Sequence, residues 1–261
     1  MSLLELHAVD KIFGGLHAVR AVSFQVEKGA IFGLIGPNGA GKTTLFNLIT
    51  GVYTPEHGRI SFAGKNIAGL KPALIAERGI ARTFQNIRVF RTMTVAENVM
   101  VAGHHLHKAS IAAAMLRTRS YERDEQALAK RAQELLEILG LAELAGEVAG
   151  SLPYGSQRRL EIARGLMLSP ELLLLDEPAA GMNSQEARTL NEQIRFLRDQ
   201  LGLTVILVEH NMAVVMNVCE TIHVVDHGET IAEGSPAEIK VHPKVLAAYL
   251  GEEQPADEAS S

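Results

Sequence analysis

The sequence predicts an α/β fold, with a mostly parallel central sheet, an antiparallel β portion at the start and a helical stretch inserted partway along. Three observations predict it. Short apolar runs, Ala30–Ile35, Leu172–Leu175 and Thr204–Val208, read as strands buried on both faces. Segments between such runs space their apolar residues as amphipathic helices do. The opening residues instead alternate apolar and polar side chains, the pattern of a half-exposed antiparallel sheet.

Taken in order, Leu3–Val9 and Val22–Val26 are the alternating strands, and Ala30–Ile35 is the first buried one. Lys42–Ile49 reads as a helix stopped near Gly51, and Gly58–Phe62 and Ile80–Phe84 as further strands. From Thr94 to about Gly150 the pattern is helical, with Val95–Ala102 and Glu125–Leu139 as the clearest pieces and a mixed stretch, His104–Tyr121, between them. The core then resumes with helix Arg158–Met167, strand Leu172–Leu175, helix Gln185–Gln200 and strand Thr204–Val208. Strands near Thr221–Val225 and Glu229–Glu233 and a helix at Pro243–Leu250 complete it. The expected organisation is one domain over residues 1–251. Its core comprises 1–86 and 151–251, its helical insertion spans about 87–150, and an acidic, disordered tail covers 252–261.

Composition narrows the function. Apolar residues make up 47% of the 261, enough for a sizeable core. The net charge is −5 and no basic run stands out, which argues against a nucleic-acid partner. The single cysteine, Cys219, allows no intrachain disulfide and fits a reducing compartment, where it reads as a small core thiol. Met1–Asp10 does not have the charge and apolar pattern of a signal peptide. The apolar runs fall far short of the ~20 residues a membrane span needs, so any membrane role must run through a partner.

Gly36-Pro37-Asn38-Gly39-Ala40-Gly41-Lys42-Thr43 fits G-x-x-x-x-G-K-[ST], between a predicted strand and a predicted helix. The glycines let the loop turn its N–H groups inward as a cradle for phosphate oxygens. The helix start adds partial positive charge. Lys42 supplies a full charge for the β- and γ-phosphates, Thr43 a hydroxyl for Mg²⁺, and Thr44 is placed for the α-phosphate. A second constellation follows strand Leu172–Leu175: Asp176, suited to Mg²⁺, and Glu177, suited to polarise an attacking water. His210, just past strand Thr204–Val208, is a candidate γ-phosphate contact. His104, His105 and His107 lack a nearby Asp, Glu or Cys to complete a metal set and read as loop histidines.

With these motifs in this order, together with Arg82-Thr-Phe-Gln85-Asn86 and Leu152-Pro-Tyr-Gly155-Ser156-Gln157-Arg158-Arg159, nearly the whole chain resembles the ATP-binding subunits of ABC transporters. The resemblance implies a P-loop NTPase (RecA-like) ABC nucleotide-binding domain with an antiparallel β subdomain and an inserted α-helical subdomain. It implies ATP and Mg²⁺ as cofactors, Gln85 as a Mg²⁺ ligand and catalytic-site residue beside Glu177 and His210, and Phe13 stacked on adenine. It implies that Tyr154, Gly155 and Ser156 contact the γ-phosphate of ATP held by a second subunit. Here the sequence departs from the usual Leu-Ser-Gly-Gly-Gln: Pro153 stands at the serine, Tyr154 at the first glycine and Ser156 at the glutamine. Proline brings no hydroxyl, so more of that contact should rest on backbone N–H groups. Asn183 also replaces the usual aspartate of the following loop.

Phe13-Gly-Gly-Leu-His-Ala-Val19, Ala81–Asn86, Tyr154–Arg164 and Glu177-Pro-Ala-Ala-Gly181 resemble the branched-chain amino-acid importer branch. That implies a second ATPase subunit, either an identical copy or a paralogue, with two transmembrane permeases. It also implies an external substrate-binding protein acting indirectly, and a position on the cytoplasmic face of the membrane. The residues after Gln85, namely Ile87, Arg88, Val89, Phe90 and Arg91, are expected to be exposed and are candidates for the permease contact. An importer of amides or urea, a lipid or lipopolysaccharide exporter, and a soluble regulatory ABC protein are the alternatives. Intact Lys42, Asp176, Glu177 and His210 weigh against a module that binds ATP without cleaving it.

Overall fold

Residues 1–103 and 118–250 are described by the computed structural model, so residues 104–117 of the mixed stretch, with its three histidines, and the acidic tail lie outside the described residues. Two sheets form. The first is antiparallel, ordered β2-β1-β4-β5, from β1 (Ser2–Phe13), β2 (Leu16–Glu27), β4 (His57–Phe62) and β5 (Lys65–Asn66). Both long strands run well beyond their expected bounds. Register shifts between β1 and β2, with Ala8 and Ala21 at positive φ (45° each), break the alternation that the sequence pattern relies on.

The second sheet is ordered β10-β9-β3-β8-β7-β6. Its strands are β3 (Ile31–Ile35), β6 (Ile80–Arg82), β7 (Leu172–Asp176), β8 (Thr204–Val208), β9 (Thr221–Asp226) and β10 (Glu229–Gly234). Pairing is parallel throughout except at β9–β10. Strand β6 stops at Arg82, short of the expected Phe84, so Gln85 sits in a loop. β3, β7 and β8 are buried at every position, as their uninterrupted apolar runs require.

The helices are α1 (Lys42–Ile49), α2 (Pro72–Glu77), α3 (Val95–Ala102), α4 (Arg119–Ile138) and α5 (Tyr154–Leu166), then α6 (Ser184–Leu201), α7 (Met212–Val218), α8 (Pro236–Lys240) and α9 (Pro243–Leu250). The short α2, α7 and α8 were not expected from the sequence pattern. Helix α3 starts on a capping box: the Thr94 hydroxyl accepts from Glu97 N–H, and the Glu97 carboxylate from Thr94 N–H. Asn183 and Glu186 repeat that device at α6, which Gly202 ends at φ 63°. Helix α4 begins earlier than Glu125 because Thr118 caps it, and α5 begins at Tyr154 rather than Arg158.

The central sheet separates two apolar clusters. Ile31 and Ile35 of β3, Leu173 and Leu175 of β7, and Val205 and Leu207 of β8 face the helices α3 to α7. Their alternate neighbours Phe32, Leu34, Leu172, Leu174, Ile206 and Val208 face α1 and the antiparallel sheet. Val95, Val99, Leu135, Leu136 and Leu139, from the helices between β6 and β7, join the first cluster. The helical insertion therefore shares its apolar packing with the sheet. Cys219 is buried there, and burial pushes its thiol up to about 12, a core thiol as expected.

Candidate functional site

The residues singled out from the sequence emerge from neighbouring strands. The glycine-rich loop follows β3, Glu209 and His210 follow β8, Asp176 ends β7 with Glu177 next after it, and Gln85 follows β6. These four strands are consecutive in the sheet and mutually parallel, so their carboxyl ends share one edge, the usual place for a ligand in an open α/β sheet.

A recess of about 470 Å³ opens there. Asn38 to Thr44, Phe13, His17, Gln85, Glu177 and His210 line it. Gly36 and Pro37 are buried behind it, and their carbonyls accept from Lys42 Nζ at 2.6 and 2.7 Å. A Cβ on Gly36 (φ 152°) would stand 1.9 Å from the Val225 carbonyl oxygen, so no larger residue fits. Gly41 is the left-handed N-cap of α1, and neither a capping side chain nor a first-turn acid occupies that helix start. The helix end is thus left to an anionic ligand.

Glu177 joins two of these residues. It takes φ 48°, unusual for a side-chain-bearing residue, and its N–H donates to Val208 O at 2.8 Å. One carboxylate oxygen pairs with His210 Nε2 at 2.6 Å, and the other accepts from Gln85 Nε2 at 3.2 Å. Thus Gln85, Glu177 and His210, spread over the sequence, meet at one carboxylate. Asp176 lies deeper, 3% exposed, and accepts from Arg82 Nη2 at 2.9 Å.

Several neighbours escaped the sequence reading. Arg82 braces Asp176 and also donates to Asn47 Oδ1 (2.7 Å) and Thr50 Oγ1 (3.3 Å), with its guanidinium over Phe46 and Phe84. Glu209 is buried and accepts from the N–H groups of Ala179 (2.7 Å), His210 (3.2 Å) and Asn211 (3.3 Å). It joins the turns after β7 and β8, and burial raises its pKa above 4.5 despite those bonds. The only signals were position: Arg82 opens the Arg-Thr-Phe-Gln stretch and Glu209 precedes His210. Arg20 and His227 also line the recess.

Phe13 is 39% exposed and edge-on to Tyr53 at 5.0 Å, which rules out a core role and suits it to meet a planar ring. Tyr154, Gly155 and Ser156 are not part of this recess. They form the first turn of α5, where no side chain caps the amides. Ser156 is buried, its hydroxyl accepts from Arg159 Nη2 at 3.0 Å and its N–H donates to Pro153 O, so its polar groups are engaged within the chain. Of the candidate permease contacts, Arg88, Phe90 and Arg91 are exposed. Ile87 is half-buried and Val89 packs against the helix-side cluster, so those two differ from the exposed residues expected.

A glycine-rich loop at the carboxyl ends of parallel strands, in one recess with a carboxylate bonded to a histidine and a glutamine, is the arrangement of a candidate nucleoside-triphosphate hydrolase site. The family model described as ABC transporter matches residues 19–180, and the chain belongs to that family as one of its ATP-hydrolysing cassettes. A second model, branched-chain amino acid ATP-binding cassette transporter, matches residues 229–254. The chain is 46% identical over 250 residues to the high-affinity branched-chain amino acid transport ATP-binding protein LivG of Salmonella typhimurium, covering 96% of this chain and 98% of that one. It is 44% identical over 250 residues, with the same coverage, to the corresponding protein BraF of Pseudomonas aeruginosa. Among solved structures, an ATP-binding cassette of an ABC transporter in its ADP conformation superposes with a TM-score of 0.84 at 33% identity, covering 96% of this chain and 99% of that one. No described helix is long and apolar enough to cross a membrane.

Proposed function

We propose that this chain powers an importer of branched-chain amino acids. It would act as one of two paired cassettes on the cytoplasmic face of two permeases, fed by an external binding protein. The carrying observation is the convergence of Gln85 and His210 on Glu177 in the recess that the phosphate loop also lines. The branched-chain substrate rests on the relatives' names and the C-terminal family match. The unit at work would be a single ATPase domain, with core 1–86 and 151–251 and the helices between them as its inserted part.

Lys42 would exchange its bonds to the loop carbonyls for β- and γ-phosphate oxygens, while the amides of the loop and of the α1 start hold the rest of the triphosphate. Phe13 would stack on the base. Glu177 would hold the attacking water and take its proton, with His210 orienting that carboxylate and contacting the γ-phosphate. Thr43 hydroxyl, the Gln85 amide oxygen and Asp176, in an inner or outer shell, are hard oxygen donors that suit Mg²⁺. Bound there, Mg²⁺ would offset phosphate charge. The α5 start lies outside the recess of its own chain, so Tyr154 and Gly155 amides are assigned to the nucleotide of the partner cassette, with Ser156 fixing the turn.

The test compares labelled leucine uptake by cells carrying wild-type protein or Glu177→Gln at equal protein levels. Loss of uptake, with turnover of the purified transporter reduced about 10²–10⁴-fold, is expected. Unchanged leucine uptake would reject the branched-chain assignment, and unchanged turnover would reject Glu177 as the base.

A further inference from the structure

We propose that Arg158 is a positioning residue that ties the Gln85 segment of one nucleotide site to the helix start that serves the other. The inference rests on the paired-cassette reading above. Arg158 has no exposed surface. Its Nη1 donates to the Phe84 carbonyl and to Glu161 Oε2 (3.0 Å), and its Nη2 to the Gln85 carbonyl (2.7 Å) and to the Tyr154 hydroxyl (3.2 Å). Glu161, one turn along α5, accepts from the N–H groups of Phe84 (3.3 Å) and Arg88 (3.2 Å). A further turn along, Arg164 donates to the Arg88 carbonyl and covers Phe90 at 4.9 Å.

The peptide groups on both sides of Gln85 are therefore bonded to side chains of α5. Strand β6 has already ended at Arg82, so the sheet ladder no longer holds this segment. A buried guanidinium must keep its acceptors, because losing one leaves charge desolvated and unpaired. Its planar fork also fixes direction, which a flexible ammonium would not. A displacement of α5 must then carry Phe84 and Gln85 with it. Gln85 in turn holds one oxygen of Glu177. Tyr154, in the first turn of α5, shares the same guanidinium. Engagement of that turn by the partner's nucleotide is thus linked by one side chain to the carboxylate of this chain's own site. This linkage makes the two sites of a pair interdependent.

The experiment measures ATP turnover of the assembled transporter against ATP and against Mg²⁺, for wild type, Arg158→Lys and Tyr154→Phe. Tyr154→Phe removes one hydroxyl from a half-exposed ring and keeps its packing, so it reports even if Arg158→Lys folds poorly. Expected for both are a Hill slope for ATP falling toward one, a Mg²⁺ requirement raised on the order of 10-fold, and nucleotide affinity of the isolated subunit within about twofold of wild type, since Arg158 lies outside its recess. A purely structural role would lower the unfolding midpoint and leave slope and Mg²⁺ requirement alone. A cooperative wild type whose two variants keep both quantities overturns the proposal. A wild type that turns over ATP with a slope of one overturns the paired-site reading, and the proposal with it.

Discussion

Replacing Arg82 with methionine tests the electrostatics around Asp176, the proposed metal end of the site. Arg82 and Asp176 form an ion pair with side chains only 7% and 4% exposed. The same guanidinium holds Asn47 and Thr50 and lies over Phe46 and Phe84, so methionine keeps the volume and removes every polar bond. Removing one member of a buried pair costs about 3–5 kcal/mol, because the other is left charged without a partner. At this chain length that is a fall in melting temperature of roughly 6–20 °C. Urea unfolding of Arg82→Met, Asp176→Asn and the double variant closes a cycle, with an expected coupling of roughly 0.5–3 kcal/mol. If Mg²⁺ sits on Asp176, the ion replaces the missing charge, and Mg·ATP should stabilise Arg82→Met by more than it stabilises wild type. An additive cycle, or a loss below about 1 kcal/mol for Arg82→Met, would refute the reasoning.

Two glycines of the phosphate loop should separate steric from conformational cost. Gly36→Ala drives a Cβ into the Val225 carbonyl and should lower unfolding stability by more than about 3 kcal/mol and abolish ATP binding. Gly39→Ala, at φ 75° with no atom within 4 Å, should cost only about 1–2 kcal/mol, and isothermal titration with ATP distinguishes the two. Glu209 sets a pH signature: a carboxyl whose folded pKa is raised binds its proton more tightly in the folded state. Its contribution favours folding at low pH and is lost as pH rises from 4.5 through the raised value. Glu209→Gln, which mimics the neutral form, should flatten that window. Urea unfolding from pH 4.5 upward showing identical slopes for both proteins would count against it.

What was readable in the sequence follows from how each feature is encoded. Strands β3, β7 and β8 were legible because sheets buried on both faces demand uninterrupted apolar runs, and the phosphate loop because its glycines are forced. The true length of β1 and β2 was hidden by bulges near Ala8 and Ala21 that reverse the alternation. Helices α2, α7 and α8 are too short to show a period. The start of α5 was misplaced because Pro153 offers no capping side chain as a signal. Glu177, Gln85 and His210 could be named in advance. Arg158 and Glu161 could not, since charged residues on a helix ordinarily read as its solvent face, and only the fold turns them inward against Phe84 and Gln85.

The order of strands in the central sheet also sets which parts of the site can open on their own. The phosphate loop, His210 and Glu177 spring from β3, β8 and β7, each flanked by partners on both sides. The ladder amides of those three buried strands should exchange with solvent only when the whole domain unfolds. Gln85 follows β6, an edge strand of three residues paired on one side alone. Its segment is held instead by Arg158 and Glu161 of α5, so the Phe84 and Arg88 amides should take up deuterium when α5 parts from this segment, before the ladders of β3, β7 and β8 exchange.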